Sequence, residues 1–153
     1  MKNHIPNPAL RSMLAFMGAR FTDDYLLFLM AQASAAISGE FHRWLAAEGV
    51  PVATWRILAS LHPDAALTIG ELCASCLAKQ PTMTRMVDRL TREGLIRRAT
   101  DPDDRRRVTV RLTESGRARA ASLSAEARAH EARVLPADQA AALKEMLRPL
   151  ARR

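Results

Sequence analysis

A chain of 153 residues with 48% apolar side chains can bury one core or form one subunit of a dimer, but it cannot build two separate globular units. Its formal net charge of +7 predicts an anionic partner. No run approaches the roughly eighteen apolar residues of a membrane span, and the N-terminus lacks a basic region leading into an apolar signal core, so a cytoplasmic location is expected.

Met1–Ala9, which holds Pro6 and Pro8, reads as a loose arm. A long helix is predicted from Thr22 to Glu48, stopping at Gly49-Val50-Pro51, with Leu26, Leu29, Met30, Ala33, Ile37, Phe41 and Leu45 along one side. A second helix, Ala53–Leu61, carries Trp55, Leu58 and Ala59. At Thr68-Ile69-Gly70-Glu71 the threonine hydroxyl can cap the third helical N–H while the glutamate reaches back, so another helix starts there. Its apolar positions Ile69, Leu72, Cys73 and Cys76 share a face, and the run stops near Leu77 and Ala78.

The next helix is predicted over Gln80–Glu93, with Pro81 in a first turn that needs no N–H there and Gly94 just past the end. Met83, Val87 and Leu90, with Met86 beside them, form the stripe that packs. Gln80, Thr82, Thr84 and Arg85 are short polar groups and an arginine at the helix start, a set that suits base edges in a major groove about 12 Å wide. Taken alone, these side chains equally fit an ordinary solvated face.

The following segment favours the groove. Leu95–Thr100 and Val108–Thr113 alternate as two strands, joined by Asp101-Pro102-Asp103-Asp104-Arg105-Arg106-Arg107. Arginines at such a tip can enter a narrow, electronegative minor groove, with Asp101 and Asp104 holding their forks. From Lys79 to Arg119 there are twelve Lys or Arg against six Asp or Glu, so the basic charge coincides with this reading head. Phosphate contacts are expected from Lys79, Arg89, Arg92 and the arginines of the tip.

Glu114 to about Leu135 is an alanine- and arginine-rich helix, and Pro136 begins another that runs to Leu150. Leu123, Val134, Leu135, Leu143, Met146, Leu147 and Leu150 are too few and too spread to close a core, so these helices must pack on something. The same helices of a second chain are the natural partner. The fold class is therefore mainly α with a small β-hairpin wing: a winged helix-turn-helix lobe over 53–113, flanked by a helical dimerisation region over 10–48 and 114–153, in a single domain over 1–153.

From about Tyr25 to the C-terminus the chain resembles the multiple antibiotic resistance regulator (MarR) family. The resemblance is carried by Gln80-Pro81-Thr82-Met83-Thr84-Arg85-Met86-Val87-Asp88-Arg89-Leu90, by Glu93-Gly94-Leu95-Ile96, by Asp101-Pro102-Asp103-Asp104-Arg105-Arg106, and by Leu112-Thr113-Glu114-Ser115-Gly116. It implies a homodimeric regulator, usually a repressor, that binds pseudo-palindromic double-stranded DNA and is released by a small ligand or by oxidation. It also implies that Arg106 reads the minor groove. Two departures stand out: Arg107 is a third charge where the family often has an uncharged residue, and Cys73 and Cys76 stand where aliphatic side chains are usual.

In this family the effector lies between the dimerisation helices and the DNA lobe. His42, Arg43 and Trp55 are the candidates here, an imidazole, a cation and an aromatic wall that would suit an aromatic acid. The plain alternative makes Trp55 a core residue and Arg43 a solvated charge. Cys73-Ala74-Ser75-Cys76 has redox or metal spacing but sits mid-helix, so inert packing competes with a redox switch. The four histidines show no ligand spacing, and neither a phosphate loop nor a nucleophile elbow occurs, so no metal, cofactor or catalysis is expected. A redox-responsive regulator and a winged-helix scaffold remain as alternatives to the ligand-responsive one.

Overall fold

The computed structural model describes residues 20–100 and 107–151, and these fall into two compact units that divide after Glu40. The hairpin tip, with Asp101, Asp104, Arg105 and Arg106, lies outside the described residues.

In the first unit a single turn, α1 (Phe21–Asp24), precedes α2 (Leu26–Ala47), whose first four turns belong to this unit. The predicted uninterrupted helix from Thr22 is therefore broken at Tyr25, which is extended. The cause is local. The Asp23 carboxylate accepts the Arg20 backbone N–H at 3.2 Å and closes the short turn. The Tyr25 carbonyl then becomes the first acceptor of α2, taking the N–H of Phe28 and Leu29 at 2.9 and 3.0 Å. The Phe21 and Tyr25 rings stack at 4.9 Å, and Leu26, Leu27, Phe28 and Leu29 remain exposed.

The second unit begins with the end of α2 and continues through α3 (Val52–Leu61), α4 (Ile69–Cys76), α5 (Gln80–Arg92), β1 (Ile96–Thr100), β2 (Val108–Leu112), α6 (Glu114–Val134) and α7 (Ala137–Ala151). Helix α3 is the hub, packing on α4, β2 and α6, while α5 packs on α4 and β1. Leu45, Ile57, Leu58, Leu61, Leu72, Met83, Val87, Leu90, Ile96, Leu112 and Leu123 are wholly buried there. The stripes predicted for α4 and α5 are thus inside, apart from Ile69, Cys73 and Met86 at the margin.

Caps fix the helix ends. Thr68 and Glu71 form the expected reciprocal cap on α4. The helix ends one residue short of Leu77, which is left-handed at φ 53° and almost fully exposed. After α5, Gly94 is also left-handed at φ 73°, and the Leu95 N–H returns to the Leu90 carbonyl at 3.0 Å. That reversal launches β1, which pairs antiparallel with β2 from Ile96↔Leu112 to Thr100↔Val108. Leu67 adds a short bridge to Val110 on the other edge of β2.

Thr113 caps α6 by accepting the Gly116 N–H at 3.1 Å, while its hydroxyl lies within hydrogen-bond reach of the Gly94 and Leu95 carbonyls. Helices α6 and α7 meet the predicted bounds to within a residue, and Lys144 pairs with Glu131 between them. Leu143, Met146, Leu147 and Leu150 on α7 are exposed. Among the described residues no helix is long and apolar enough to cross a membrane.

Candidate nucleic-acid interface

Helix α5 is amphipathic because Met83, Val87 and Leu90 recur at helical spacing, so burying them turns the remaining side chains outward. Lys79, the N-cap residue, is exposed, as are Gln80, Thr82 and Arg85. At about 100° per residue the predicted readers separate into two flanks. Thr82, Arg85, Arg89 and Arg92 line one shallow concavity with Met86. Gln80 and Thr84 fall on the other flank, where the Thr84 hydroxyl donates to the Gln80 carbonyl at 3.0 Å. Among the described residues the Arg85 guanidinium has no hydrogen bond or ion pair, so its fork is free to meet an acceptor.

Other charged groups near α5 are committed to the lobe. Arg89 donates through Nη2 to Thr54 Oγ1 at 2.7 Å and lies 3.5 Å from Glu93 through Nε, so it braces α5 against α3. Arg98 on β1 pairs with Asp88 on α5 at 2.6 Å, which sets the hairpin relative to that helix. Arg107, the extra charge of the wing, reaches Glu71 at the start of α4 at 3.3 Å. The Glu71 carboxyl is held below its ordinary range, first by the Thr68 backbone N–H, then by the Thr68 hydroxyl, with Arg107 adding to the effect. These braces join α3, α4, α5 and the hairpin into one frame.

Of the two thiols, Cys76 is buried and Cys73 half-buried, so the expectation that both lie inside holds for Cys76 and only partly for Cys73. Burial pushes the Cys76 thiol up, against smaller lowering effects from Ser60 and Arg56. This is the reverse of what a thiolate redox sensor needs.

The effector candidates stand in different surroundings. Trp55 packs edge-on against Phe41, with ring centroids 5.4 Å apart, and both Trp55 and Trp44 lie in the margin of the same core. His42 is half-buried and Arg43 exposed. Phe41 also stacks on Trp44 at 5.6 Å and meets His130 at 5.7 Å. The His130 Nε2 is buried without a partner among the described residues. A concavity beside Trp55 is lined by Arg56, Ser60, Ser75, Cys76 and Leu77. Sequence reasoning passed over Trp44, Arg56 and His130. Arg56 follows Trp55 directly and could have been weighed as its cation, but nothing in the sequence brings His130 to Phe41.

Residues 51–108 match the model of the MarR family. Among curated relatives, the HTH-type transcriptional repressor IacR of Pseudomonas putida is 30% identical over 94 residues, 61% of this chain and 56% of that protein. The multiple antibiotic resistance protein MarR of Escherichia coli (strain K12) is 32% identical over 77 residues, 50% of this chain and 54% of that protein. The chain thus spans about half the length of these curated relatives. A solved structure, the MarR family transcriptional regulator SPO1453 from Silicibacter pomeroyi DSS-3, is 44% identical with a TM-score of 0.76, and the match covers 86% of this chain and 96% of that one. Because that likeness runs through the capped α4, the polar-faced α5 and the helices on either side, the chain belongs to the MarR family of transcriptional regulators.

Proposed function

We propose that this chain binds double-stranded DNA as a homodimer and represses transcription from a pseudo-palindromic operator. The carrying observation is α5: its apolar stripe is buried while Gln80, Thr82 and the unpaired Arg85 stand open at its start. Gln80, Thr82, Thr84 and Arg85 meet base edges in the major groove, and Lys79 takes a phosphate. Arg105 and Arg106 carry the wing to the adjacent minor groove, supported by Asp101 and Asp104, while Arg107, held by Glu71, adds positive charge beside them. Arg89, braced to Thr54, positions the helix as well as adding positive charge.

Twofold pairing covers the apolar side chains that each unit leaves open, Leu26–Leu29 in one and Leu143, Met146, Leu147 and Leu150 in the other. It places two α5 helices about one DNA turn, roughly 34 Å, apart. Repression is the sign suggested by IacR, which is named as a repressor. Release follows a small, aromatic-acid effector held near His42, Arg43 and Trp55, with Arg56 lining a concavity beside Trp55.

Fluorescence anisotropy with DNA from the chain's own upstream region and a scrambled duplex, at several salt concentrations, tests this. Tight, salt-dependent preference for the native fragment is expected. Arg85→Ala should cost about 1–3 kcal/mol on the native fragment and less on the scrambled one. Equal losses on both would make Arg85 a phosphate contact. Equal weak affinity of the wild type for both duplexes would favour a scaffold role.

A further inference from the structure

We propose that Glu71, at the start of α4, is a positioning residue for the wing: it holds Arg107 and so aims the hairpin tip. Preference in the minor groove then depends on a carboxylate as well as on the arginines that enter the groove. The inference rests on the DNA-binding reading given above.

The carboxylate is divided between two tasks. Glu71 Oε2 accepts the Thr68 N–H at 2.6 Å and the Thr68 hydroxyl at 2.9 Å, which leaves Oε1 to accept from Arg107 Nη2 at 3.3 Å. An exposed ion pair is usually weak, in part because two long side chains must be held in one arrangement. Here the cap already fixes the carboxylate, so the arginine alone loses rotamer freedom when the pair forms.

The hairpin needs an anchor at this point, because two strands alone make a twisted ribbon of marginal stability. At its middle rung, Arg98↔Val110, it is pinned twice: Val110 bridges to Leu67, and Arg98 pairs with Asp88 of α5 at 2.6 Å. Toward the tip the ladder ends at Thr100↔Val108. Arg107 comes next and adjoins Arg106 of the tip directly. Because α4 packs on α5, tying Arg107 to Glu71 sets the tip relative to the groove-facing helix. A narrow A·T-rich minor groove rewards an arginine only where the two are in register.

Site selection from a pool of random duplexes tests this. The wild type is expected to select a core read by α5 and A·T-rich steps on its flanks, where the wings lie. Glu71→Gln, which keeps an acceptor for the Thr68 N–H, should retain the core but cut the flanking A·T enrichment about threefold or more. Arg107→Gln, which leaves the cap intact, should do the same, and the double variant should lose no more than either single one. Enrichment that is unchanged or higher in Glu71→Gln overturns the proposal, as does a double variant whose loss is the product of the two. Loss of core and flanks together in Glu71→Gln also overturns it, since Glu71 would then act only as a helix cap, and so do wild-type flanks without A·T preference. A wild type that selects no sequence defeats the DNA-binding reading and this inference with it; the other outcomes leave that reading standing.

Discussion

At Thr68 and Glu71 two side chains satisfy two backbone donors: the Thr68 N–H donates to Glu71 Oε2 at 2.6 Å and the Glu71 N–H to Thr68 Oγ1 at 3.2 Å. Thr68→Ala is expected to cost about 1 kcal/mol of stability in urea unfolding. The carboxylate's folded pKa lies below its ordinary value of 4.5, so its contribution is present above that value and lost as pH falls through the lower folded value. Glu71→Gln should therefore flatten the acid-side decline of the unfolding midpoint, by a modest amount because the pair is open to solvent. An unchanged decline would assign it to other carboxylates. At Cys76 burial holds the thiol protonated, so iodoacetamide near neutral pH is expected to label Cys73 first, read by mass spectrometry. Faster labelling of Cys76 would revive the redox alternative. Both assignments were partly legible in sequence, because capping and helical face depend on spacing of a few residues.

At the scale of elements, the junction between the hairpin and α6 tolerates the least change. A Cβ on Gly116 would stand 1.8 Å from the Leu95 carbonyl oxygen, a backbone atom that cannot swing aside. Gly116→Ala is expected to destabilise by more than about 2 kcal/mol, measured by thermal or urea unfolding. A near-neutral result would mean that α6 shifts bodily without cost. The sequence placed a helix after Thr113, yet the need for glycine there is a property of the contact with Leu95, a residue on the far side of the hairpin. The break at Tyr25 shows the opposite limit: apolar spacing continues through it, but one carboxylate turned back onto Arg20 closes the turn.

For the whole molecule, the exposed apolar face of α7 is the feature a single chain does not resolve. Replacing Met146 and Leu147 together by Glu should turn the proposed dimer into a monomer by light scattering and weaken binding to the proposed operator by about tenfold or more, since each half-site then binds alone. A variant that stays dimeric would move the interface to the first unit's Leu26–Leu29. Operator affinity that survives in a monomer would remove twofold recognition from the proposal.

The sequence by itself determined the helices after α2, the hairpin, the buried stripes of α4 and α5 and the family, because periodicity, caps and glycine positions act within a few residues. It also picked Gln80, Thr82, Thr84 and Arg85 as the open face of α5; with Met83, Val87 and Leu90 inside, Gln80, Thr82 and Arg85 are exposed and Thr84 is half-buried. Only the tertiary structure decided that Arg89 is spent on Thr54, 35 residues away, and that Arg107 reaches back 36 residues to Glu71. Such pairings depend on how α3, α4, α5 and the hairpin pack, and no local pattern encodes which distant side chain will stand opposite a given charge.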